Sequence, residues 1–74
     1  MTREEFLASM DDLVELPAGT LKGPEMLEEV EGWNSMAMIG FIALADQNGV
    51  KVAPRQIAAS STVEELLQLA RIKA

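Results

Sequence analysis

The sequence predicts an all-α domain: a small four-helix bundle in which the third helix is short and a long loop joins helices one and two. Three observations support this prediction. Apolar residues recur at spacings of three and four in separate segments, residues that cap helices precede those segments, and no hairpin signal lies between them. The chain has 74 residues, which is the length of a single domain with a small core.

The first helix is predicted over about residues 2–15. Thr2 and Glu5 have the spacing of a capping box, and apolar side chains follow them at helical intervals. Pro17 is expected to end this helix one or two residues upstream, because proline cannot donate the backbone hydrogen bond that a helix needs.

A long connection is predicted from Pro17 to Gly32. Such a connection is unusual in a compact domain unless its own side chains fix it to the core. Five apolar side chains are expected to do so, and the segment 24–27 is a candidate helical turn. These five are Leu21, Met26, Leu27, Val30 and Trp33.

The second helix is predicted over residues 35–47. Asn34 and Ser35 are both suited to the N-cap position, and Asn48 and Gly49 together form a typical C-terminal stop. Both ends of this helix are therefore marked in the sequence.

Two further helices are predicted after it. Pro54 is suited to the first position of a short third helix over residues 54–58. Thr62 is the expected cap of the last helix, over residues 62–72, and Glu65 lies at the capping-box position.

The chain contains neither cysteine nor histidine. This composition excludes disulfides, thiolate nucleophiles, the serine triad and histidine acid–base catalysis, and it excludes most zinc sites. Catalysis would have to depend on carboxylates, which are expected on solvated faces without an apolar pocket to shift their pKa values. We therefore predict neither an enzyme nor a metal site.

The net charge is −6, and most of the acidic residues precede Trp33. An acidic surface repels phosphate backbones, so nucleic acid is not an expected partner. Such a surface attracts basic protein surfaces, although net charge also serves solubility alone. Charge by itself leaves both interpretations open.

No segment of the sequence is suited to crossing a membrane. The N-terminal residues are charged where a signal peptide needs an apolar core. The longest apolar stretch, residues 36–45, is far shorter than the roughly 20 residues that span a bilayer. We therefore expect a cytoplasmic monomer without a membrane partner.

The second helix lacks an ordinary polar face, since its one charged residue is Asp46. Helical spacing divides the other residues into two sets. The set expected in the core is Ile39, Phe41, Ile42 and Ala45. The set expected at the surface is Met36, Gly40, Ala43 and Gln47. This second set is predicted to contact a partner, and the alternative is a helix buried on all sides.

Gly40 lies inside the predicted second helix. Glycine in a helix interior is less stable than alanine by about 1 kcal/mol. We expect a compensating close approach at this position, either of another helix or of a partner's surface.

Residues 32–36 read Gly-Trp-Asn-Ser-Met and lead into the apolar helix. This segment resembles the attachment motif of acyl and peptidyl carrier proteins, in which Gly-x-Asp-Ser-Leu precedes such a helix. The resemblance covers almost the whole chain, from the first helix and the acidic connection to residues 49–54 and the last helix. It implies a four-helix bundle of the acyl-carrier type.

The resemblance implies that a separate phosphopantetheinyl transferase attaches a 4′-phosphopantetheine arm from coenzyme A to Ser35. The arm's thiol then holds an acyl, aminoacyl or peptidyl group as a thioester, as in fatty acid, polyketide or nonribosomal peptide biosynthesis. The further partners implied are an acyl- or aminoacyl-loading ligase and a downstream synthase or transferase. Because no flanking domain is present in the sequence, we expect a stand-alone carrier. The cofactor would supply the sulfur that this cysteine-free chain lacks.

Three positions depart from the family pattern. Asn34 stands where aspartate is usual, so the charge that helps to bind the metal and the transferase in the family is missing. Gly40 stands where a glutamate is usual, which favours docking through apolar contact. The helix end at residues 46–49 comes about one residue early and lacks the usual phenylalanine, which changes the depth of any pocket for an acyl chain.

Two alternatives remain open. Ser35 could serve only as a helix-start residue, since serine is common there. The chain could also be an interaction module with the carrier fold that is never modified, an alternative that Asn34 and the uncharged helix face support.

Overall fold

The computed structural model describes residues 1–72, and over that range the protein contains four α-helices and no β-strand. The helices are α1 (Arg3–Leu13), α2 (Ser35–Gln47), α3 (Pro54–Ala58) and α4 (Val63–Leu69), and a 3-10 turn spans Leu27–Glu29. The chain is compact, with a radius of gyration of 10.7 Å. The prediction of a small all-α domain with four helices is confirmed. None of these helices, within the described residues, is long and apolar enough to cross a lipid bilayer.

Side-chain caps begin α1, α2 and α4, as the sequence predicts. In α1 the Glu5 N–H donates to the Thr2 hydroxyl at 3.1 Å, and the Thr2 N–H donates back to the Glu5 carboxylate at 2.8 Å. Thr62 and Glu65 form the same reciprocal pair at the start of α4. Each pair satisfies two backbone N–H groups that the helix itself leaves unpaired.

The first and last helices end earlier than predicted. The first helix was expected to reach residue 15, but α1 ends at Leu13 because Glu15 adopts a left-handed backbone with φ of 59°. The last helix was expected to reach residue 72, but α4 ends at Leu69 because Arg71 has the same left-handed φ of 59°. A left-handed residue reverses the chain and so closes a helix.

The core forms around two aromatic rings. Phe6 of α1 and Phe41 of α2 are fully buried and meet edge to face, with ring centroids 5.9 Å apart. Buried side chains from α3, α4 and the connection between α1 and α2 complete the cluster. They include Leu21, Leu27, Ile57, Val63, Leu66 and Leu67.

The connection between α1 and α2 is fixed to the start of α4 by backbone hydrogen bonds. Leu27 N–H donates to the Ser61 carbonyl at 2.8 Å, and Val63 N–H donates to the Glu25 carbonyl at 3.0 Å. The helical turn expected at residues 24–27 is therefore wrong: these backbone groups pair with the α4 region, and the 3-10 turn begins only at Leu27.

The expected apolar anchors of the connection are buried to different degrees. Leu21 and Leu27 are buried, whereas Met26, Val30 and Trp33 are half-buried. A polar anchor that the sequence did not indicate accompanies them.

That polar anchor is Asp11 of α1, which is only 1% exposed. Its carboxylate accepts hydrogen bonds from the N–H groups of Gly19 and Leu21, each at 2.9 Å. A buried carboxylate is stable only when its oxygens are paired in this way. Asp11 therefore fixes the beginning of the connection against α1.

Candidate functional site: the N-terminal end and exposed face of α2

Asn34, and not Ser35, caps α2. Asn34 has an extended backbone, and its side-chain oxygen accepts a hydrogen bond from the Ala37 N–H at 3.0 Å. Ser35 is the first residue of the helix, and it is exposed. Capping therefore does not explain the serine at position 35, because Asn34 already caps the helix.

The first turn of α2 carries no carboxylate, in contrast to the two helices that begin with capping boxes. α1 has Glu4 and Glu5 in its first turn, and α4 has Glu64 and Glu65. Glutamates at a helix N-terminus compensate the positive end of the helix dipole. No carboxylate of its own first turn therefore compensates the positive dipole end of α2.

Backbone N–H groups at this end are also free of intrahelical partners. The first bond of the helix ladder runs from the Met38 N–H to the Asn34 carbonyl at 2.9 Å. The N–H groups of Ser35 and Met36 precede that bond and have no carbonyl within the helix to pair with. Such groups favour an anion attached at the helix start.

Gly32, three residues before Ser35, lies against the backbone of Val14, the residue that follows α1. A methyl group added to Gly32 would collide with the carbonyl group of Val14. The Trp33 N–H then donates to the Val30 carbonyl at 3.0 Å and turns the chain toward α2. Packing therefore explains why the motif has glycine at this position, since only glycine lets the two backbones approach this closely.

The exposed face of α2 is apolar but is rotated relative to the prediction. Met36 is 75% exposed, Ile39 is 61% exposed, and Ala43 and Gln47 are exposed. The expectation that Ile39 faces the core is wrong. The buried face consists of Ala37, Phe41 and Ala45, spaced four residues apart, and Ile42 is half-buried beside it.

Gly40 was expected on the exposed stripe, but it is half-buried and faces α1. A methyl group added at Gly40 would meet the side chain of Leu13. Of the two compensating contacts expected at this glycine, the structure shows the close approach of another helix. The helices α1 and α2 pack together at this point.

A shallow groove of about 360 Å³ runs beside the exposed face of α2. One wall consists of Ile39, Ile42 and Ala43, and the other contains Val52 from the segment before α3. At its far end the Lys51 ammonium donates to the Asp46 carboxylate at 3.2 Å. We call Met36, Ile39, Ala43 and this groove the α2 apolar surface.

Metal-ligating side chains do not gather at this site. In the part of the chain that the structure describes, no group of three or more acidic side chains could hold a metal ion. The arrangement is suited to attachment and contact: an exposed hydroxyl at a positive helix end, followed by an apolar surface.

Sequence reasoning placed Ser35 and Asn34 correctly at the start of α2 but missed two features of the site. The exposure of Ile39 depends on how α2 is rotated against α1, which the apolar helix pattern leaves undetermined. The contrast in first-turn glutamates between α2 and the two capping-box helices, α1 and α4, is visible in the sequence once the helix starts are known.

Comparison with protein-family models, with curated proteins and with solved structures finds no significant match to this chain.

Proposed function

We propose that this protein is a carrier that holds an acyl or aminoacyl group as a thioester on a 4′-phosphopantetheine arm attached to Ser35. The observation that carries the proposal is the position of Ser35. It is an exposed first residue of a 13-residue helix whose first turn lacks carboxylates, whereas α1 and α4 each have two there. A phosphodiester at Ser35 would be stabilised by the helix dipole and by unpaired N–H groups.

Attachment requires a nucleophilic hydroxyl that a separate transferase can reach. The Ser35 hydroxyl oxygen forms a bond to phosphorus as the pyrophosphate linkage of coenzyme A breaks, and the adenosine bisphosphate leaves. The hydroxyl proton passes to a base of the transferase. The attached arm supplies the thiol, so the chain itself needs no cysteine.

Asn34 stabilises the first turn of α2 without adding charge. Its side chain satisfies the Ala37 N–H, as an aspartate would. The resemblance to carrier proteins assigns part of the binding of metal and transferase to the aspartate usually found here. A neutral residue at this position therefore slows modification or restricts it to a dedicated transferase.

Met36, Ala43 and Gln47 are proposed to contact partner proteins, because they are exposed on the face of α2 that starts at Ser35. Gly40, which faces Leu13, contributes by allowing α1 and α2 to approach closely. The partners are the transferase, the ligase that loads the arm, and the synthase or transferase that receives the cargo.

The test is the intact mass of the protein after incubation with coenzyme A, magnesium and a broad-specificity phosphopantetheinyl transferase. We expect a gain of one phosphopantetheine, its loss in Ser35→Ala, and its retention in Ser61→Ala, which removes another exposed serine hydroxyl. If the wild-type chain gains nothing, Asn34→Asp is tested next. A gain in that variant indicates a carrier with a dedicated transferase, and no gain in either overturns the proposal.

The second candidate is an interaction module with the same fold that is never modified. Met36 and Ile39 favour it, because their 75% and 61% exposure provides a contact surface that does not involve the Ser35 hydroxyl. This function predicts that a purified partner binds the Ser35→Ala variant and the wild-type chain with equal affinity, in the absence of coenzyme A.

A further inference from the structure

We propose that Asn48 is a modification site, at which the side-chain amide converts spontaneously to aspartate or isoaspartate at a rate set by opening of the C-terminal end of α2. Asn48 is the C-cap of α2, at the opposite end of the helix from Ser35. The co-reactant is water, and the chemistry does not depend on attachment of a phosphopantetheine arm.

The reaction requires that the backbone nitrogen after the asparagine reach the side-chain carbonyl carbon. The Gly49 nitrogen gives up its proton and attacks Cγ of Asn48, which closes a succinimide ring, and the side-chain nitrogen leaves with a proton as ammonia. Water then adds to one of the two ring carbonyls, and the ring C–N bond that breaks leaves aspartate or isoaspartate. Gly49 hinders this approach least of all residue types, because it has no Cβ.

The folded geometry of Asn48 opposes closure of the ring. Its ψ of 12° places the Gly49 nitrogen nearly eclipsed with the Asn48 backbone nitrogen and away from Cβ. The Asn48 side-chain nitrogen also donates to the Leu44 carbonyl at 2.9 Å, which holds the carboxamide against the preceding turn. Closure therefore requires rotation of the backbone at Asn48 and loss of this hydrogen bond.

The attacking nitrogen is itself held in a helix-terminating motif. The Gly49 N–H donates to the Asp46 carbonyl at 2.9 Å, and the Val50 N–H donates to the Ala45 carbonyl at 3.0 Å. With Gly49 at a φ of 79°, these are the two hydrogen bonds of a Schellman motif. Conversion of Asn48 therefore requires this motif to open.

Little packing opposes that opening. Asp46, Gln47 and Gly49 are exposed, and a methyl group added at Gly49 would meet nothing within 4 Å. Val50 is half-buried against the core and anchors the chain that follows the motif. Segments with few buried contacts open without unfolding of the whole domain. Asn48 therefore converts during local openings whose frequency the packing of Val50 limits.

The products weaken this end of α2. A carboxylate at position 48 cannot donate to the Leu44 carbonyl. It also adds negative charge to the negative end of the helix dipole, where the last turn of α2 has no basic residue. Isoaspartate in addition inserts Cβ into the backbone, which disturbs the register of the two bonds of the motif.

The test follows Asn48 and Asn34 of the wild-type chain by peptide mass spectrometry during incubation at mildly alkaline pH, folded and in urea. Asn34 is the internal control, because the side chain of Ser35 hinders attack there. We expect Asn48 to convert at least about tenfold faster than Asn34 in urea, and folding to slow Asn48 by about tenfold or more. No conversion in urea, none in the folded chain after prolonged incubation, or equal rates in both states overturns the proposal.

Two valine variants distinguish local opening from global unfolding. Val50→Ala removes packing beside the motif, and the matched control Val30→Ala removes the same atoms from another half-buried valine packed against the core. We expect Val50→Ala to raise the folded rate at Asn48 by about threefold or more and Val30→Ala to leave it unchanged, with equal rates in urea. Equal acceleration by both variants, or none by Val50→Ala, removes the motif as the control of the rate.

The effect of the product is measured with Asn48→Asp. Gln47→Glu is its matched control, since it adds the same charge at the neighbouring exposed position and keeps the bond from Asn48 to the Leu44 carbonyl. We expect the urea midpoint to fall further in Asn48→Asp than in Gln47→Glu. Equal midpoints would show that the lost donor does not weaken the end of α2.

Discussion

Arg3 at the start of α1 and Glu64 at the start of α4 form a bidentate ion pair across 61 residues of sequence. The guanidinium donates two hydrogen bonds to the Glu64 carboxylate, one of them at 2.8 Å from Nη1 to Oε2. Arg3 also donates to the Lys22 carbonyl at 3.0 Å. One side chain therefore joins α1, the connection and α4 at the same end of the molecule.

This pair predicts a pH-dependent stability contribution. The hydrogen bond from Arg3 holds the pKa of the Glu64 carboxyl below its ordinary value of 4.5, so the contribution is complete above that value. It is lost as the pH falls through the lowered pKa of the folded state, where Glu64 becomes protonated. We expect Glu64→Gln to lower the urea midpoint at pH 7 and the difference from wild type to shrink in acid.

The control for this experiment is Glu28→Gln, which removes one carboxylate from an exposed position of the connection. This variant reports how the loss of one negative charge by itself changes the stability of a protein of net charge −6. An equal effect of both variants at pH 7 would show that the geometry of the pair with Arg3 contributes nothing.

Replacement of the buried Asp11 is expected to destabilise the protein strongly. Asp11→Ala leaves the N–H groups of Gly19 and Leu21 without their acceptor, and Leu21 N–H lies in a buried position. We expect a loss of about 2–3 kcal/mol in the free energy of unfolding, measured by urea denaturation. Asp11→Asn, which keeps one acceptor oxygen, should lose less, and equal losses would contradict this account.

The two glycines that flank the site are expected to respond differently to alanine. In Gly32→Ala the new methyl group meets the backbone of Val14, which cannot move easily, and we expect a loss of about 2 kcal/mol or more. In Gly40→Ala the new group meets the flexible end of the Leu13 side chain. The gain in helix propensity, about 1 kcal/mol, then offsets the clash and leaves stability nearly unchanged.

Thermal and urea unfolding of both variants measure this difference directly. Gly40→Ala should also retain phosphopantetheine loading, because the glycine lies away from the exposed face of α2. A strong loss of stability in Gly40→Ala would mean that Leu13 is held too firmly to shift.

Variants of the cap residue Asn34 are expected to affect stability and phosphopantetheine attachment differently. Asn34→Ala removes the acceptor for the Ala37 N–H and should lower the free energy of unfolding by about 1 kcal/mol. Asn34→Asp keeps the acceptor, so its stability should equal or exceed that of wild type, while its rate of phosphopantetheine attachment should rise. A slower rate in Asn34→Asp would mean that the transferase prefers the neutral residue.

Local signals in the sequence were sufficient to locate most helix starts. Thr2, Asn34 and Thr62 each cap a helix as predicted, because capping depends on residues only three positions apart. Helix ends were less predictable. Glu15 and Arg71 adopt left-handed backbones that are rare for these residue types, and no local signal marks them.

Features that depend on contacts between distant segments were not predictable. The rotation of α2 was misjudged at Ile39, since almost every residue of that helix is apolar and periodicity cannot select a face. The burial of Asp11 was missed because its partners lie eight and ten residues away, in an irregular segment. The candidate attachment residue, Ser35, was found because it lies in a short motif.

The backbone bonds between the connection and α4 have a consequence for local opening. The first N–H groups of α4, those of Val63 and Glu64, donate to the carbonyls of Glu25 and Gly23 at 3.0 and 2.8 Å. Amide protons in the first turn of a helix normally exchange quickly with solvent, because no intrahelical bond protects them. Here both protons are bonded to the connection, so we expect their exchange rates to report how often the connection detaches from the start of α4.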